Sequence, residues 1–404
     1  MPVARRVEIA TVYAAGLAQG FALVVVPSAS ALLTSPRGYA LTGVEYGALF
    51  VPMVAGAIAA SGAGGVLALR WGLKRLLLTG VLLDVVAMAL VALSAAFMGR
   101  HVPSYATLMC AMLALGAGFG ATLTALNSLA PGFFPDHAEA ALTALHTLLG
   151  TGTALAPILL SGASGRGWWW IPALVGAVLL LLVAAGSSQP LVAALAEPAP
   201  RAGGHMDFLR NLSGRLWTFV IVVIFYGICE TLCGNWAILY VHGERGFSAR
   251  QAGLALAAFW AMVTVGRLAI AIASAWIAPR IFFRALPVLL LAAFLLIPRS
   301  GSAAAAIAAF GFAGLACSGF LPLSIGFAEK QFPRLAELMA GELIAAYMIG
   351  YGIASFGAGP LVDSGAMKLG SIYSWASVVA AAMIVLSFLV TRPARPSAKV
   401  PAAN

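Results

Sequence analysis

The residues best suited to chemistry lie in one short stretch, FYGICETLCGNW at 225–236. It stands inside a long apolar segment, 216–241, yet it carries a tyrosine, a glutamate (Glu230), an asparagine and a tryptophan. In a helix that crosses a membrane, a central carboxylate costs about 2.5–3.5 kcal/mol even on the mildest scales. Such a residue faces a water-filled cavity, pairs with another group or stays protonated, and it marks a functional site by default.

Two interpretations of Glu230 remain open from the sequence. In the first, Glu230 shares a helix face with Tyr226 one turn earlier and binds a solute hydroxyl or a cation, or carries a proton. In the second, it forms an ion pair with Arg267 of the next apolar segment and holds two helices together. Arg267 is accordingly a candidate either for helix pairing or for contact with an anion.

Asn235 and Trp236 follow in the same stretch. On a straight helix Asn235 lies about 140° from Glu230, so the two face one cavity only if the helix breaks near Gly234. Broken helices do line binding sites in membrane transporters. Trp236 either stacks on a sugar ring or anchors its helix at the membrane interface. We include both residues among the candidates for solute binding.

Other apolar segments also contain isolated polar residues. Histidine is the side chain whose unperturbed pKa lies near neutral pH, so His146 is a candidate proton carrier or hydrogen-bond donor, unless it is bonded to a carbonyl group or to Thr143. For Asp84 we predict a structural hydrogen bond in a supporting helix. The remaining candidates for solute binding are Gln19, Asn127, Tyr347 and Tyr351. The glycines beside Gln19 alternatively serve close helix packing.

The sequence shows no catalytic or cofactor site, and we predict no enzyme activity, cofactor or metal. No glycine-rich loop followed by Lys and Ser or Thr is present to cradle a nucleotide. Cys229 and Cys233 are four residues apart on one helix, which suits neither a disulfide nor a four-ligand metal site. The net charge of +10 comes from scattered residues without a basic tract, so we expect no nucleic-acid partner.

Composition places the chain in a membrane. Hydrophobic residues make up 62% of the 404 positions and charged residues only 9%, whereas a soluble domain is about half apolar and a quarter charged. The apolar runs are about 20–28 residues long without alternation, which predicts helices rather than barrel strands. The first run has a basic flank but is too long for a cleavable signal.

Twelve spans are predicted, approximately 9–31, 43–69, 75–98, 103–130, 137–162, 167–187, 214–241, 249–278, 280–298, 302–328, 335–362 and 367–390. Asp136 with Glu139, and Ser248 with Gln251, predict capping boxes that begin the fifth and eighth spans. A stretch rich in Pro and Gly separates spans 6 and 7. We therefore predict an N-terminal six-helix bundle (1–187), a cytoplasmic linker (188–213) and a C-terminal bundle with a short tail (214–404).

Lysine and arginine predict the orientation. With the N-terminus in the cytoplasm, the inside loops and tails outnumber the outside loops in basic residues about two to one. Both termini are then cytoplasmic. Trp168, Trp169 and Trp170 are interpreted as part of an aromatic belt at the interface.

The loop between spans 2 and 3 resembles the loop motif of the major facilitator superfamily, a family of secondary transporters. The matching positions are Gly65, Arg70, Gly72, Lys74 and Arg75, whose glycines permit a tight turn and whose basic residues can meet helix carbonyl ends. The family's acidic residue is replaced by Leu69. In the family that acid helps to hold the two halves together on the cytoplasmic side. Because Leu69 stands in its place, the resemblance does not imply this contact between the halves here.

A narrower resemblance is to the fucose-permease-like sugar branch. It rests on the Tyr, Glu and Trp spacing of span 7, on Phe259-Trp260 and Gly266-Arg267 in span 8, and on Gly350-Tyr351-Gly352 in span 11. The chain departs from that branch because spans 1 and 4 lack an acidic residue in their middle. Gly150, Gly152 and Ala156-Pro157 are similar to a degraded antiporter motif of span 5.

Together these observations predict a secondary transporter of a small polar, sugar-like solute in the bacterial inner membrane. It would work by alternating access as a monomer, driven by a gradient of protons or another ion. Glu230 and His146 are the candidates for proton coupling, and Arg70, Lys74 and Arg75 belong to the gating loop. The alternative is proton-driven efflux of a drug or metabolite.

Overall fold

The computed structural model describes residues 6–161, 165–191, 214–332 and 335–392. In this part of the chain, twelve helices are long and apolar enough to cross a membrane, and the predicted all-α membrane fold is confirmed. In chain order they are α1 (Arg6–Thr34), α2 (Gly43–Trp71), α3 (Leu73–Phe97), α4 (His101–Phe133), α5 (Pro135–Leu160), α6 (Gly167–Ser187), α7 (Gly214–Glu244), α8 (Ala249–Ala273), α9 (Pro279–Arg299), α10 (Ala303–Gln331), α11 (Ala336–Asp363) and α12 (Leu369–Val390).

Helix starts follow local sequence signals in part. The capping box at the start of α8 is confirmed, because Ser248 Oγ accepts from the Gln251 amide at 3.2 Å and Gln251 Oε1 accepts from the Ser248 amide at 3.0 Å. The capping box predicted for α5 is wrong. Asp136 lies inside a 3₁₀ turn, Pro135–His137, and so cannot occupy the flanking position that side-chain capping requires.

In the described part of the chain, three membrane helices are interrupted: α1 after Ser28, α2 after Ala48 and α10 after Cys317. The break near Gly234 of α7, which a shared cavity for Glu230 and Asn235 would require, is absent, because Gly214–Ile238 is one uninterrupted helix followed by a π-helical turn, Leu239–Glu244. Gly234 instead makes room for a ring, since a Cβ there would lie 3.0 Å from the Trp260 side chain.

The break occurs in α10, between Ala303–Cys317 and Phe320–Gln331. Its cause is visible in the sequence. Pro322 has no N–H group, so the Ser318 carbonyl lacks the partner that a continuous helix would supply four residues later. This carbonyl is therefore free to accept a side-chain donor at the middle of the protein.

Glycines allow helices of each half to approach until backbones touch. A Cβ at Gly20 of α1 would lie 1.9 Å from the Leu149 carbonyl oxygen of α5, and one at Gly350 of α11 would lie 2.1 Å from the Ile224 carbonyl oxygen of α7. The pairs α2–α4 and α8–α10 are built in the same way through Gly116 and Gly314. Each close pair of the first half thus recurs six helices later, as expected for two pseudo-symmetric six-helix bundles.

The tryptophans at the start of α6 differ in exposure. Trp169 and Trp170 are about half exposed, but Trp168 is 1% exposed and donates to the Tyr39 hydroxyl at 3.1 Å, so Trp168 does not belong to an interface belt. The predicted linker lies outside the described residues except for 188–191, and its boundaries stay predictions.

The two halves meet along a surface that we call the seam, which is formed by α1, α2 and α5 against α7, α8 and α11. Because the twelve helices alternate in direction, Arg6 and Arg392 lie on the same side of the bundle. We call this side the terminus side and the other the opposite side.

Candidate solute site at the seam

Glu230 lies deep in α7 and is only 5% exposed. Its Oε1 atom is 2.8 Å from the Tyr226 hydroxyl, which is also 3.0 Å from the Cys317 carbonyl oxygen at the break in α10. A tyrosine hydroxyl carries one hydrogen and cannot fully serve two acceptors. Both contacts are satisfied if Glu230 is protonated, donates to Tyr226, and Tyr226 donates to Cys317.

Arg267 of α8 also binds a carbonyl group at the break in α10. Its Nε donates to the Ser318 carbonyl oxygen at 3.1 Å, so the residue links α8 to α10. The predicted alternative of an ion pair with Glu230 is wrong, because the one contact within 4 Å between a carboxylate and a cationic side chain among the described residues joins Glu45 and His101. Arg267 nevertheless lies close enough to Glu230 and His146 for an electrostatic interaction with each.

His146 approaches the site from the first half. Its Nε2 is 3.1 Å from Asn127 Oδ1, which links α5 to α4. The Thr143 hydroxyl donates to the Glu139 carbonyl at 2.8 Å instead of binding the histidine. His146 and Asn127 are half-buried, and His146 lies close enough to Arg267 of the second half for an electrostatic interaction, so the polar residues of the site come from both sides of the seam.

An aromatic wall borders the carboxyl group. The Tyr347 ring lies 5.9 Å from Tyr226 and 6.3 Å from Tyr351, and Phe320 stacks on Tyr226 at 5.5 Å. Tyr347 also lies close enough to Glu230 for an electrostatic interaction. The structure therefore places Tyr226, Glu230 and Tyr347 together. The two tyrosine rings form one apolar surface beside the Glu230 carboxyl group.

Asn235 and Trp236 belong to a different part of the seam than Glu230. The Asn235 amide donates to Tyr351 at 3.0 Å and to Ser355 at 2.9 Å, and Trp236 Nε1 donates to the Ala354 carbonyl at 3.1 Å. Trp236 is 1% exposed, which excludes both predicted roles, an interface anchor and a ring free to stack on a solute. Because α7 is continuous, these residues bind α11 instead of completing the Glu230 site.

Tyr46 of α2 joins the two halves at the level of Trp236. Its hydroxyl donates to the Asn235 carbonyl oxygen at 2.7 Å, and its ring meets Trp236 edge-on with centroids 5.3 Å apart. Seven residues further along α2, Met53 Sδ lies 3.9 Å from the Tyr351 hydroxyl. These contacts fill the seam between the aromatic wall and the opposite side.

The opposite side of the seam is closed further by Asp363, at the end of α11. Its two carboxylate oxygens accept from the amides of Gly43 and Val44 at 2.9 and 2.7 Å, at the N-terminus of α2. A carboxylate at that end of a helix meets unsatisfied N–H groups and the positive end of the dipole. A Cβ at Gly359 would lie 2.4 Å from the Gly43 carbonyl oxygen, so the two helices are in backbone contact.

On the terminus side, the described hydrogen bonds join helices of the same half. Lys74 Nζ binds the Ser187 and Gln189 carbonyls of the first half at 2.8 and 2.6 Å. In the second half, Arg215 binds Gln331, and Arg284 binds Thr391. The seam is thus held at the opposite side and lacks a described polar contact between halves at the terminus side.

Gln19 is not at the seam. It is fully buried, its Nε2 lies 3.3 Å from Asp84 Oδ1, and its Oε1 has no hydrogen-bond partner. Thr122 of α4 approaches the other Asp84 oxygen at 3.4 Å. The prediction that Gln19 contacts a solute is wrong in this structure, because its amide points into the packing between α1 and α3. Asp84 makes the kind of structural contact that we predicted.

In the loop between α2 and α3, some residues of the predicted motif have a clear structural role and others do not. Gly72 adopts φ +83°, which favours glycine, and Lys74 caps the carbonyl end of α6. A Cβ at Gly65 would meet nothing within 4 Å, so no close packing requires this glycine. Arg70 and Arg75 make no hydrogen bond to the described residues.

Sequence reasoning missed Tyr46, Asp363 and Ser355 as seam residues. The Thr42–Glu45 capping box at the start of α2 was a signal in the sequence, and the structure contains it. It marks a helix start but does not identify a partner 320 residues later along the chain. An apolar cavity of about 800 Å³ lies between α3 and α6, away from the seam, and offers no acidic or basic lining residue.

A bundle of twelve membrane helices in two similar halves, with polar residues gathered where the halves meet, defines a multi-pass membrane transporter. The model of the Major Facilitator Superfamily matches residues 9–341, and the chain belongs to this family. It is therefore a transporter and not an enzyme. No curated protein matches the chain in sequence.

Similar solved structures include the nucleoside transporter NupG, with 13% identity and a TM-score of 0.73, covering 96% of this chain and 98% of that one. The inward open xylose transporter XylE from E. coli has 12% identity and a TM-score of 0.73, covering 96% of each chain. FucP in the outward conformation has 16% identity and a TM-score of 0.65, covering 96% of this chain and 100% of that one. At these identities the likeness concerns the fold alone.

Proposed function

We propose that this protein is a proton-coupled transporter that takes up a small polar, sugar-like solute across a bacterial inner membrane. The observation that carries the proposal is the meeting of Glu230, Tyr226 and Arg267 of one half with His146 and Asn127 of the other. Polar groups from both halves at one level of the seam are what a midplane site between two moving bundles requires.

The coupling proton resides on Glu230 in this proposal. Tyr226 stands between the carboxyl group and the Cys317 carbonyl with one hydrogen for two acceptors, an arrangement that favours a proton on Glu230. Release of that proton leaves a carboxylate near Arg267. His146 lies across the seam as a second proton carrier.

Lysine and arginine counts support a cytoplasmic terminus side. The opposite side is then extracellular, and the structure corresponds to a protein closed to the outside. Uptake would require Asp363 and Tyr46 to leave their partners on α2 and α7 while the cytoplasmic ends of the halves come together. The similar structures named above include a nucleoside transporter and a xylose transporter, which agrees with a small polar solute.

The test is transport by the purified protein in liposomes, with Glu230→Gln beside the wild type. A panel of labelled sugars, nucleosides and small acids is screened first by counterflow. For the solute found, we expect Glu230→Gln to exchange solute but to lose accumulation driven by a pH gradient. Accumulation equal to that of the wild type would show that Glu230 is not the coupling residue.

Glu45→Gln is the matched control, because Glu45 is an acid of α2 that pairs with His101 at 2.6 Å near the surface. It should accumulate solute like the wild type. If no member of the panel exchanges, the uptake proposal fails.

The second candidate function is proton-driven efflux of a drug or metabolite. It is favoured by the glycines of α5, where a Cβ at Gly150 would lie 2.0 Å from Thr264 Oγ1 of α8 and so bring the halves into close contact. An efflux-deficient host that carries the protein should then resist a panel of toxic amphiphiles. Sensitivity equal to that of the empty host, together with sugar counterflow, would decide for uptake.

A further inference from the structure

The Arg267 guanidinium group is only partly engaged. Its Nε is held by the Ser318 carbonyl at 3.1 Å, while its two terminal nitrogens donate to no atom of the described residues. Neither terminal nitrogen is a buried atom without a partner, and the side chain is partly exposed. A guanidinium with its Nε–H fixed and its two terminal NH2 groups free is arranged for a planar, bidentate acceptor.

Arg267 is also a cation without a bound counter-charge. No described carboxylate lies within 4 Å of it, and Glu230 is occupied by Tyr226. Arg267 lies inside α8, six residues before the last residue of that helix, Ala273. An unpaired cation within a membrane helix is costly, so such residues face a water-filled path or receive a charge from a ligand.

The groups around Arg267 restrict the remainder of such a ligand. His146 and Asn127 offer polar contacts on the far side of the seam, and the Tyr226 and Tyr347 rings offer an apolar face. One fixed cation balances one negative charge, which suits a carboxylate better than a doubly charged phosphate.

We propose that the transported solute is a small monocarboxylate whose carboxylate group binds the free edge of Arg267. This inference rests on the proposed transport function and specifies its substrate class, for which an acidic sugar is one example. A monoanion that enters together with one proton on Glu230 carries no net charge across the membrane, whereas a neutral sugar with one proton carries a positive charge.

The experiment uses two matched pairs of probes with the purified full chain: D-glucuronate against D-glucose, and benzoate against benzamide. Thermal unfolding and titration calorimetry report binding, since a ligand that prefers the folded state raises the apparent stability. We expect at least one of the two anions to bind and its neutral partner to bind at least about tenfold more weakly.

Variants of the arginine complete the experiment. Arg267→Lys keeps the charge but loses the planar guanidinium group, and this variant should bind the anion about tenfold more weakly. Arg267→Gln removes the charge as well and should weaken binding by about a hundredfold. Arg284→Gln is the matched control, because Arg284 also uses its Nε in a hydrogen bond, to Thr391, but lies outside the seam. Should Arg267→Gln not fold, Arg267→Lys decides.

Three results would overturn the inference: binding of neither anion, equal binding of a neutral partner, or unchanged anion binding by a folded Arg267 variant. These outcomes differ from failure of the transport function. Counterflow of neutral sugars without anion binding leaves transport in place and removes the monocarboxylate. Anion binding at Arg267 without counterflow of any solute leaves the site in place and removes transport.

Discussion

The two sides of the seam are held in different ways. On the opposite side, Asp363 and Tyr46 make hydrogen bonds between the halves, and Gly359 lets α11 touch the backbone of α2. On the terminus side, Lys74 and Arg215 bind carbonyls and side chains of their own halves. The difference indicates that one side must break short polar contacts to open, whereas the hydrogen bonds described on the other side do not cross between the halves.

A single assay measures how often the opposite side opens. Met53 is 3% exposed and lies below Tyr46 against Tyr351, so a cysteine at position 53 is shielded while the seam is closed. Its labelling rate by an impermeant maleimide reports the open fraction, once the four native cysteines are replaced. The following predictions are ordered by expected effect on that rate.

The largest effect is expected for Gly359→Val. A Cβ at this position would lie 2.4 Å from the Gly43 carbonyl oxygen, and that backbone cannot yield as a flexible side chain would. Overpacking of this kind costs about 1–3 kcal/mol, so the open fraction and the labelling rate should rise about five- to 150-fold. Gly357→Val is the control on the same helix, because a Cβ there meets nothing within 4 Å. Equal labelling of the two variants would refute the close contact.

Tyr46→Phe should have the next largest effect. The change removes the hydrogen bond to the Asn235 carbonyl but keeps the ring against Trp236. The loss of one such bond is about 0.5–1.5 kcal/mol, which predicts a rise in labelling of about two- to tenfold. Tyr373→Phe removes a similar bond, to the Leu232 carbonyl within the second half, and should lower the melting temperature without a change in labelling.

Asp363→Asn should act more weakly. An amide still accepts from one N–H group of α2 but no longer places a negative charge at the helix N-terminus. The loss of such a charge–dipole interaction predicts that the variant is labelled about two- to fivefold faster than the wild type. Salt screens the interaction in the wild type, so the difference in labelling rate between the two proteins should shrink at high salt. A labelling rate that is the same for both proteins at low salt would remove Asp363 from the latch.

The smallest effect is expected for Glu45→Gln. Glu45 pairs with His101 near the surface, but both residues belong to the first half. Exposed pairs contribute little, and this one does not cross the seam, so labelling should change by less than about twofold. A larger change would mean that contacts within one half also control the seam.

The sequence was informative about helices and less so about their meeting points. Hydropathy located the twelve membrane helices of the described residues, and Ser248 with Gln251 located one helix start, because both signals are local. The position of a break was not predictable from glycine alone. Gly234 sits in a continuous helix against Trp260, whereas Gly319 follows a carbonyl that Pro322 leaves free.

The composition of the site depended on long-range geometry. Glu230 and Tyr226 are one turn apart, and their contact followed from helical spacing. Gln19 and Asn235 were assigned to the site because they are polar at membrane depth, yet each binds a neighbouring helix of its own half. Polarity at depth requires a partner, and it does not specify whether that partner is a solute or a helix.

Reciprocal motion of the two sides is the central claim, and paired distance measurements test it most directly. Spin labels at exposed positions 37 and 366 span the halves on the opposite side, and labels at exposed positions 70 and 330 span them on the terminus side. Gly359→Val should lengthen the first distance and shorten the second in the same preparation, while Gly357→Val should leave both at their wild-type values. If the first distance lengthens with the second unchanged, or if both lengthen together, the halves do not alternate about the seam and the account is contradicted.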